Sequence, residues 1–192
     1  MKSIAKSLFL ALPLFVAPSA FAQHRTFTVN PDASKVAFSL TGTGHAVYGT
    51  FHVQSGSIEF DPGATDISGS VVVAAGSGDS GDKGRDKNMK TQVLDVTHFA
   101  EVSFVPKSYQ GALAATGDSS IQVTGTFTLH GTPHELTVPM QIHIEGANLT
   151  AKTHFIVPYV QWGLKDPSVF ILKVAKEVGI DLTLVGSLSA SK

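Results

Sequence analysis

Residues 121–158, IQVTGTFTLHGTPHELTVPMQIHIEGANLTAKTHFIVP, contain three long segments in which apolar and polar residues alternate. The segments cover 121–130, 134–144 and 149–158, and short glycine-containing turns separate them. Strict alternation is typical of a β-strand that presents one face to an apolar interior. The stretch therefore predicts an antiparallel meander of three long strands.

The same alternation recurs through most of the remaining chain. Turn residues such as those at 31–32, 54–56 and 61–63 divide it into shorter runs. The pattern predicts further strands at 26–30, 35–41, 46–53, 56–60, 67–75, 101–106 and 180–184.

Two segments lack the strand pattern. Residues 76–94 begin with a Gly-rich stretch, predicted as a loop, and continue with a short helix at about 84–93. In residues 163–178, Asp166 is placed to cap a helical turn that has Pro167 at its first position. Both connections are predicted to cover a mouth or an edge of the sheet.

A sheet with one apolar face must cover that face. With about eight strands and little helix, the sheet has to close on itself or fold into a two-sheet sandwich. The long meander favours closure. We therefore predict an all-β, antiparallel up-and-down barrel of about eight strands with one or two short helical segments. Such a barrel is either filled by side chains or holds one small ligand.

The first 22 residues have the features of a secretory signal peptide. Lys2 and Lys6 precede an apolar run, and the run ends in the small-x-small site at 20–22. Cleavage before Gln23 would leave one domain at 23–192 outside the cytoplasm.

Composition excludes several functional classes. The net charge of −1 provides no basic surface for a nucleic-acid backbone, and the absence of cysteine excludes thiolate metal sites and Cys nucleophiles.

His130 and His134 are predicted to start on opposite sheet faces, so no metal site is expected there. No Gly-x-Ser-x-Gly elbow occurs. We predict no catalytic residue, no metal and no cofactor, although a hydrolase with dispersed Ser, His and Asp remains an alternative.

Large aromatic residues dominate the predicted inward face, and they would either pack into a solid core or line a cavity. Small residues such as Gly49, Gly69 and Gly125 would leave room inside or mark barrel corners. The predicted short helix contains a second cluster, at 85–89. This segment either packs its apolar residues into the core or places Arg85 against a ligand head group. The candidate binding residues are Phe38, Phe51, Phe104, Phe127, Phe155 and Trp162 from the strands and their connections, and Arg85, Asp86 and Met89 from the helix.

Six short motifs follow one another along the chain: 36–39 (VAFS), 47–51 (VYGTF), 56–61 (GSIEFD), 85–89 (RDKNM), 101–104 (EVSF) and 124–132 (TGTFTLHGT). In this order they resemble the YceI-like family of polyisoprenoid-binding proteins, over roughly residues 26–189. The chain departs from the family pattern at Ala100, where Pro is common, and at 159–163 (YVQWG), which lacks the two charges of an Arg-x-Asp-aromatic-Gly element.

The resemblance implies a lipocalin-like barrel that carries or sequesters a long apolar chain in the periplasm. It implies a long-chain isoprenoid or related amphipathic lipid as the partner, a transient membrane contact, and a monomer or homodimer. It provides no catalytic residues to transfer. A ligand-free structural or stress-related barrel with a filled core is the remaining alternative.

Overall fold

The computed structural model describes residues 24–190, which form a closed antiparallel β-barrel. The predicted signal peptide lies outside the described residues. Neither helical segment in residues 24–190 is long and apolar enough to cross a membrane. The strands are β1 Arg25–Val29, β2 Lys35–Gly42, β3 His45–Phe60, β4 Ile67–Asp79, β5 Glu101–Gln110, β6 Gly117–Leu129, β7 Thr132–Glu145, β8 Asn148–Val157 and β9 Val178–Ala190.

Closure comes from pairing each strand from β2 to β8 with the next strand in sequence, and β9 with β2. β1 and β2 run in the same direction, and both lie between β3 and β9, at different heights. They behave as one interrupted strand, so the wall has eight positions although nine strands are present. This arrangement confirms the up-and-down barrel of about eight strands.

Two predicted interruptions are wrong. The predicted turn at 54–56 is a β-bulge inside the single strand β3, where the pairing with β4 shifts register between Val53 and Ser55. A bulge accommodates an extra residue without ending the strand, so turn-prone residues do not break it. The predicted Gly-rich loop begins later than expected, because residues 76–79 continue β4 and Asp79 pairs with Thr50.

The helical segment lies close to its predicted position. Helix α1 spans Lys83–Asn88, and its N-cap Asp82 accepts a hydrogen bond from the backbone N–H of Arg85. A π-helical turn, Met89–Val93, continues it. The predicted helical turn after Asp166 is wrong: the Asp166 carboxylate accepts from the Ser168 N–H, and the segment is irregular.

The strand directions define two ends of the barrel. The helical end carries α1, the β2–β3 and β6–β7 turns and the loop 158–177. The opposite end is filled by a cluster of buried side chains that includes Phe27, Phe60, Tyr109 and Ile144. These buried side chains therefore close one end of the interior, and the interior is approached from the other end.

Candidate ligand-binding cavity

A cavity of about 640 Å³ occupies the barrel interior and opens at the helical end. Its volume lies within the range of roughly 300–1,000 Å³ that is usual for small-molecule sites. The wall is almost entirely apolar, and inward side chains from all eight positions of the barrel contribute to it. Such a surface can bind an apolar ligand through the hydrophobic effect.

The exposed fractions of inward-facing side chains along a strand show that the cavity lies in the interior of the barrel. On β9, Leu184 is 4% exposed, whereas Ile180 and Leu182 point to the same face and are only half-buried. All three line the cavity. The remaining exposed area of Ile180 and Leu182 borders the cavity, so the interior is hollow toward the helical end and packed below it.

Aromatic rings form part of this wall. Phe38 and Phe51 have ring centroids 5.3 Å apart, and Phe127 meets Phe155 edge-on at 6.0 Å. Phe104 also lines the cavity. These contacts hold the rings against one another at the wall.

The inward-facing glycines lie against neighbouring aromatic rings. A Cβ atom at Gly49 would lie 2.3 Å from the ring of Phe38, and one at Gly125 would lie 2.7 Å from the ring of Phe104. Each glycine thus accommodates a neighbouring ring along the wall. At these two positions the space that glycine leaves is already filled, so it does not add free volume to the interior.

A polar cluster lies at the mouth of the cavity. Arg85 donates from its guanidinium to the Ser80 hydroxyl and to the Ser80 carbonyl, at 2.8 Å each. Asp86 accepts from the backbone N–H and the hydroxyl of Ser80. The Ser80 hydroxyl bond holds the pKa of Asp86 below its usual value, with smaller contributions from Lys90 and Arg85. The cluster fixes α1 against the end of β4.

The remaining polar groups of the mouth come from other segments. Thr43 and His45 belong to the β2–β3 turn region, Asn88 ends α1, and Lys173 lies on the loop 158–177. A ligand head group at the mouth would meet these groups and Arg85. Because Arg85 has five N–H donors and uses two of them on Ser80, donors remain for a ligand.

The loop 158–177 is fastened over the helical end. Tyr159 is 6% exposed and donates its hydroxyl to the Ala175 carbonyl at 2.7 Å. Burial raises the pKa of Tyr159 to about 12, and Asp166 adds to the effect. The phenol therefore stays protonated and keeps its donor role.

Trp162 belongs to this loop and packs against the barrel. Its ring stacks on His134, with centroids 4.0 Å apart and planes at 7°, and lies 5.8 Å from Phe127. His134 faces inward opposite Phe127, and its Nε2 is buried without a partner among the described residues. The YVQWG departure thus places an apolar stack, and no charge pair, behind the cavity wall.

Seven of the nine candidate residues line the cavity, and two lie beside it. Asp86 supports Ser80 and Arg85, and Trp162 packs behind Phe127. Sequence reasoning missed the polar mouth residues outside α1, since they come from distant turns. The seven lining residues are Phe38, Phe51, Arg85, Met89, Phe104, Phe127 and Phe155.

Among residues 24–190, His45 lines the cavity but no Asp or Glu side chain does. The pairs His143–Asp118 and His154–Asp181, at 2.7 and 2.9 Å, are at least half exposed. His130 has a φ of 51° and stacks on Phe99 at the β6–β7 turn. Within residues 24–190, no group of three His, Asp, Glu or Cys side chains could hold a metal ion.

Thr153 is a polar residue inside the apolar wall. It is 9% exposed, lines the cavity between Ala151 and Phe155, and its hydroxyl has no hydrogen-bond partner among the described residues. An unpaired buried hydroxyl costs about 1–3 kcal/mol. We expect Thr153→Val to raise the free energy of unfolding of the ligand-free protein by about 1 kcal/mol or more, measured by urea denaturation.

Ser119 provides the matched control. It is also 9% exposed, but its hydroxyl accepts from the Ala114 N–H at 2.9 Å. Ser119→Ala should lower the free energy of unfolding by about 1 kcal/mol, because a donor loses its partner. If Thr153→Val also lowers the free energy of unfolding, the Thr153 hydroxyl does have a hydrogen-bond partner.

Comparison with known proteins identifies relatives over most of the chain. The family model described as "YceI-like domain" matches residues 27–186. A "UPF0312 protein" of Pseudomonas savastanoi is 29% identical over 150 residues, covering 76% of this chain and 74% of the relative. A relative from Pseudomonas fluorescens, also 29% identical over 150 residues, covers 73% of each chain.

Solved structures share the fold. BcnA of Burkholderia cenocepacia is 26% identical, with a TM-score of 0.66, and the match covers 82% of this chain and 99% of BcnA. A polyisoprenoid binding domain from Saccharophagus degradans, 15% identical, also has a TM-score of 0.66, with 86% and 98% covered. Since the family model spans the whole barrel from β1 to β9, the chain belongs to the YceI-like family.

Proposed function

We propose that the barrel binds one long apolar chain, a polyisoprenoid, an isoprenoid quinone or a fatty-acid-like lipid, as a carrier or sequestering protein of the periplasm. The observation that carries the proposal is the apolar cavity of about 640 Å³ with one polar mouth. Each methylene removed from water contributes about 0.8 kcal/mol. A long chain therefore binds tightly with few polar contacts.

The comparisons support the same ligand class. The Saccharophagus degradans domain, which has the same fold, is described as polyisoprenoid binding. The alternatives predicted different interiors. A filled structural barrel requires no continuous cavity, and a hydrolase requires Ser, His and Asp side chains that converge on the cavity wall. The open interior and the outward-facing His–Asp pairs favour the binding function.

Native mass spectrometry of the protein purified from its own host tests the proposal. We expect a species heavier than the polypeptide, and lipid extraction should release the mass difference as one long-chain compound. N-terminal sequencing of the same material should begin at Gln23. A protein without bound lipid, which also fails to take up a fluorescent long-chain fatty acid, would overturn the binding function.

Arg85 is proposed to contact the ligand head group. Arg85→Ala removes two exposed hydrogen bonds to Ser80. The stability should therefore change by about 1 kcal/mol or less. Affinity for the extracted lipid should fall by roughly tenfold or more, since a charge-assisted hydrogen bond contributes about 1.5–3 kcal/mol.

Lys87 is the control cation, because it is exposed on the same helix and does not line the cavity. Lys87→Ala should leave lipid affinity unchanged. If Arg85→Ala strongly lowers Tm and preserves affinity, Arg85 is a structural clamp of the Ser80 segment and has no head-group role.

A further inference from the structure

The loop 158–177 exposes an apolar tip at the mouth of the barrel. Four consecutive side chains, Val169, Phe170, Ile171 and Leu172, have exposed fractions of 59%, 95%, 75% and 59%. Other large exposed apolar residues of the described chain, such as Val105 and Ile156, lie singly on separate strands. Clustered exposure of this kind marks an interaction site more often than scattered exposure does.

Hydrogen bonds fix the shape of the tip and attach its base to the β2–β3 turn. The Val169 N–H donates to the Leu172 carbonyl at 2.9 Å, which places Phe170 and Ile171 at the turn. At the base, the Lys173 N–H donates to the Thr43 hydroxyl, and the Thr43 N–H donates to the Lys173 carbonyl. The apolar residues are thus presented by a braced turn.

The apolar tip is continuous with the interior cavity. Val169 and Leu172 contribute both to the exposed tip and to the cavity lining, and Val174 continues the lining inward. An apolar chain that enters along the tip therefore stays in contact with apolar side chains until it reaches the lumen.

Basic side chains flank the tip. Lys165, Lys173 and Lys176 are exposed on the same loop, which also carries the acidic residues Asp166 and Glu177, so its three positive and two negative charges sum to +1. Asp166, one of the loop's acidic residues, uses its carboxylate on the Ser168 N–H. A short apolar segment together with nearby cations is the combination that binds anionic membrane surfaces, where each feature alone is weak.

We propose that residues 169–172 insert into the interface of an anionic lipid bilayer and align the cavity mouth with the membrane, an inference that rests on the proposed lipid-binding function. A bilayer fits this surface better than a protein does. Four side chains are a small part of the roughly 20–30 residues that each partner supplies to a stable protein interface. A fixed apolar tip beside a cavity that holds a lipid would allow the protein to extract a lipid from the bilayer or to deliver one to it.

Vesicle co-sedimentation tests the proposal with protein purified from an exporting host, after its N-terminus is verified to lack residues 1–22. The probes are vesicles of phosphatidylethanolamine with phosphatidylglycerol, and vesicles of phosphatidylcholine alone. Wild type should partition to the anionic vesicles. Phe170→Ser/Ile171→Ser should lower the partition coefficient by at least about tenfold. The control Val105→Ser/Ile156→Ser, which removes two exposed apolar residues from the barrel wall, should leave it unchanged.

Uptake of a fluorescent long-chain fatty acid in vesicle-free solution separates this proposal from the proposed function. The tip variant should bind the fatty acid as wild type does. If the tip variant and wild type partition equally, docking is overturned even when both bind the fatty acid. Self-association that the tip substitutions abolish, without vesicle binding, would also overturn it and assign the tip to a second copy of the chain. Tip-dependent vesicle binding without fatty-acid uptake would support docking and overturn the lipid-binding function.

Discussion

Leu182→Trp should abolish most lipid binding while the barrel stays folded. Leu182 lies on β9 between Val36 of β2 and Thr153 of β8, and its half-buried side chain borders the cavity. An indole at this position would occupy space that the ligand needs. If it displaces about three methylenes at about 0.8 kcal/mol each, affinity falls by roughly fiftyfold. Titration with a fluorescent long-chain fatty acid measures the loss.

Leu184, two residues along the same strand and on the same face, is the matched control. It is 4% exposed and packs in the filled part of the barrel. Leu184→Trp should lower the free energy of unfolding by about 1–3 kcal/mol, because the closely packed neighbours of this buried side chain leave too little space for an indole. Leu182→Trp should change it by about 1 kcal/mol or less. Equal destabilisation by the two variants would show that the interior is filled at both heights.

Gly69→Ala should be among the most destabilising single substitutions in the chain. Gly69 has a φ of +104°, which an L side chain rarely adopts, and a Cβ there would lie 2.0 Å from the Ser57 carbonyl oxygen. The conflict is with backbone of the paired strand β3, so no side-chain rotation relieves it. We expect a loss of at least about 3 kcal/mol, or a Tm lower by roughly 6–12 °C.

Gly76, in the same strand β4, provides the comparison. A Cβ at Gly76 meets no atom within 4 Å, and its φ is not positive. Gly76→Ala should therefore be neutral or stabilise the protein by about 0.4–1 kcal/mol through the unfolded state. A similar loss in both variants, measured by thermal denaturation, would contradict the explanation from local geometry at Gly69.

The alternation of apolar and polar residues predicted the strands, and the long meander at 121–158 favoured a barrel over a two-sheet sandwich. Side chains two residues apart share a face, so each predicted strand also identified its inward residues, and Phe38, Phe127 and Phe155 do face the cavity. The turn preference of individual residues predicted strand ends less reliably within the long strands. The turn residues at 54–56 and the glycines at 76–78 lie within β3 and β4, because cross-strand pairing outweighs their turn preference.

The composition of the cavity mouth at the helical end could not be predicted from local sequence. The short helix was predictable from its own sequence, but the polar mouth combines residues from the β2–β3 turn region, α1 and the loop 158–177. Their association depends on the closure of the barrel. Trp162 has the aromatic character expected of a lining residue, yet its stack with His134 places it behind Phe127.

The sequence by itself determined the all-β class, the approximate strand number and the face of each strand, because these follow from residue periodicity. Only the tertiary structure decided that the interior is hollow at one end. Leu182 and Leu184 have identical side chains on the same face of β9, and sequence cannot distinguish them. Whether either borders open space depends on which residues meet it across the closed barrel, and that is a property of the packed chain.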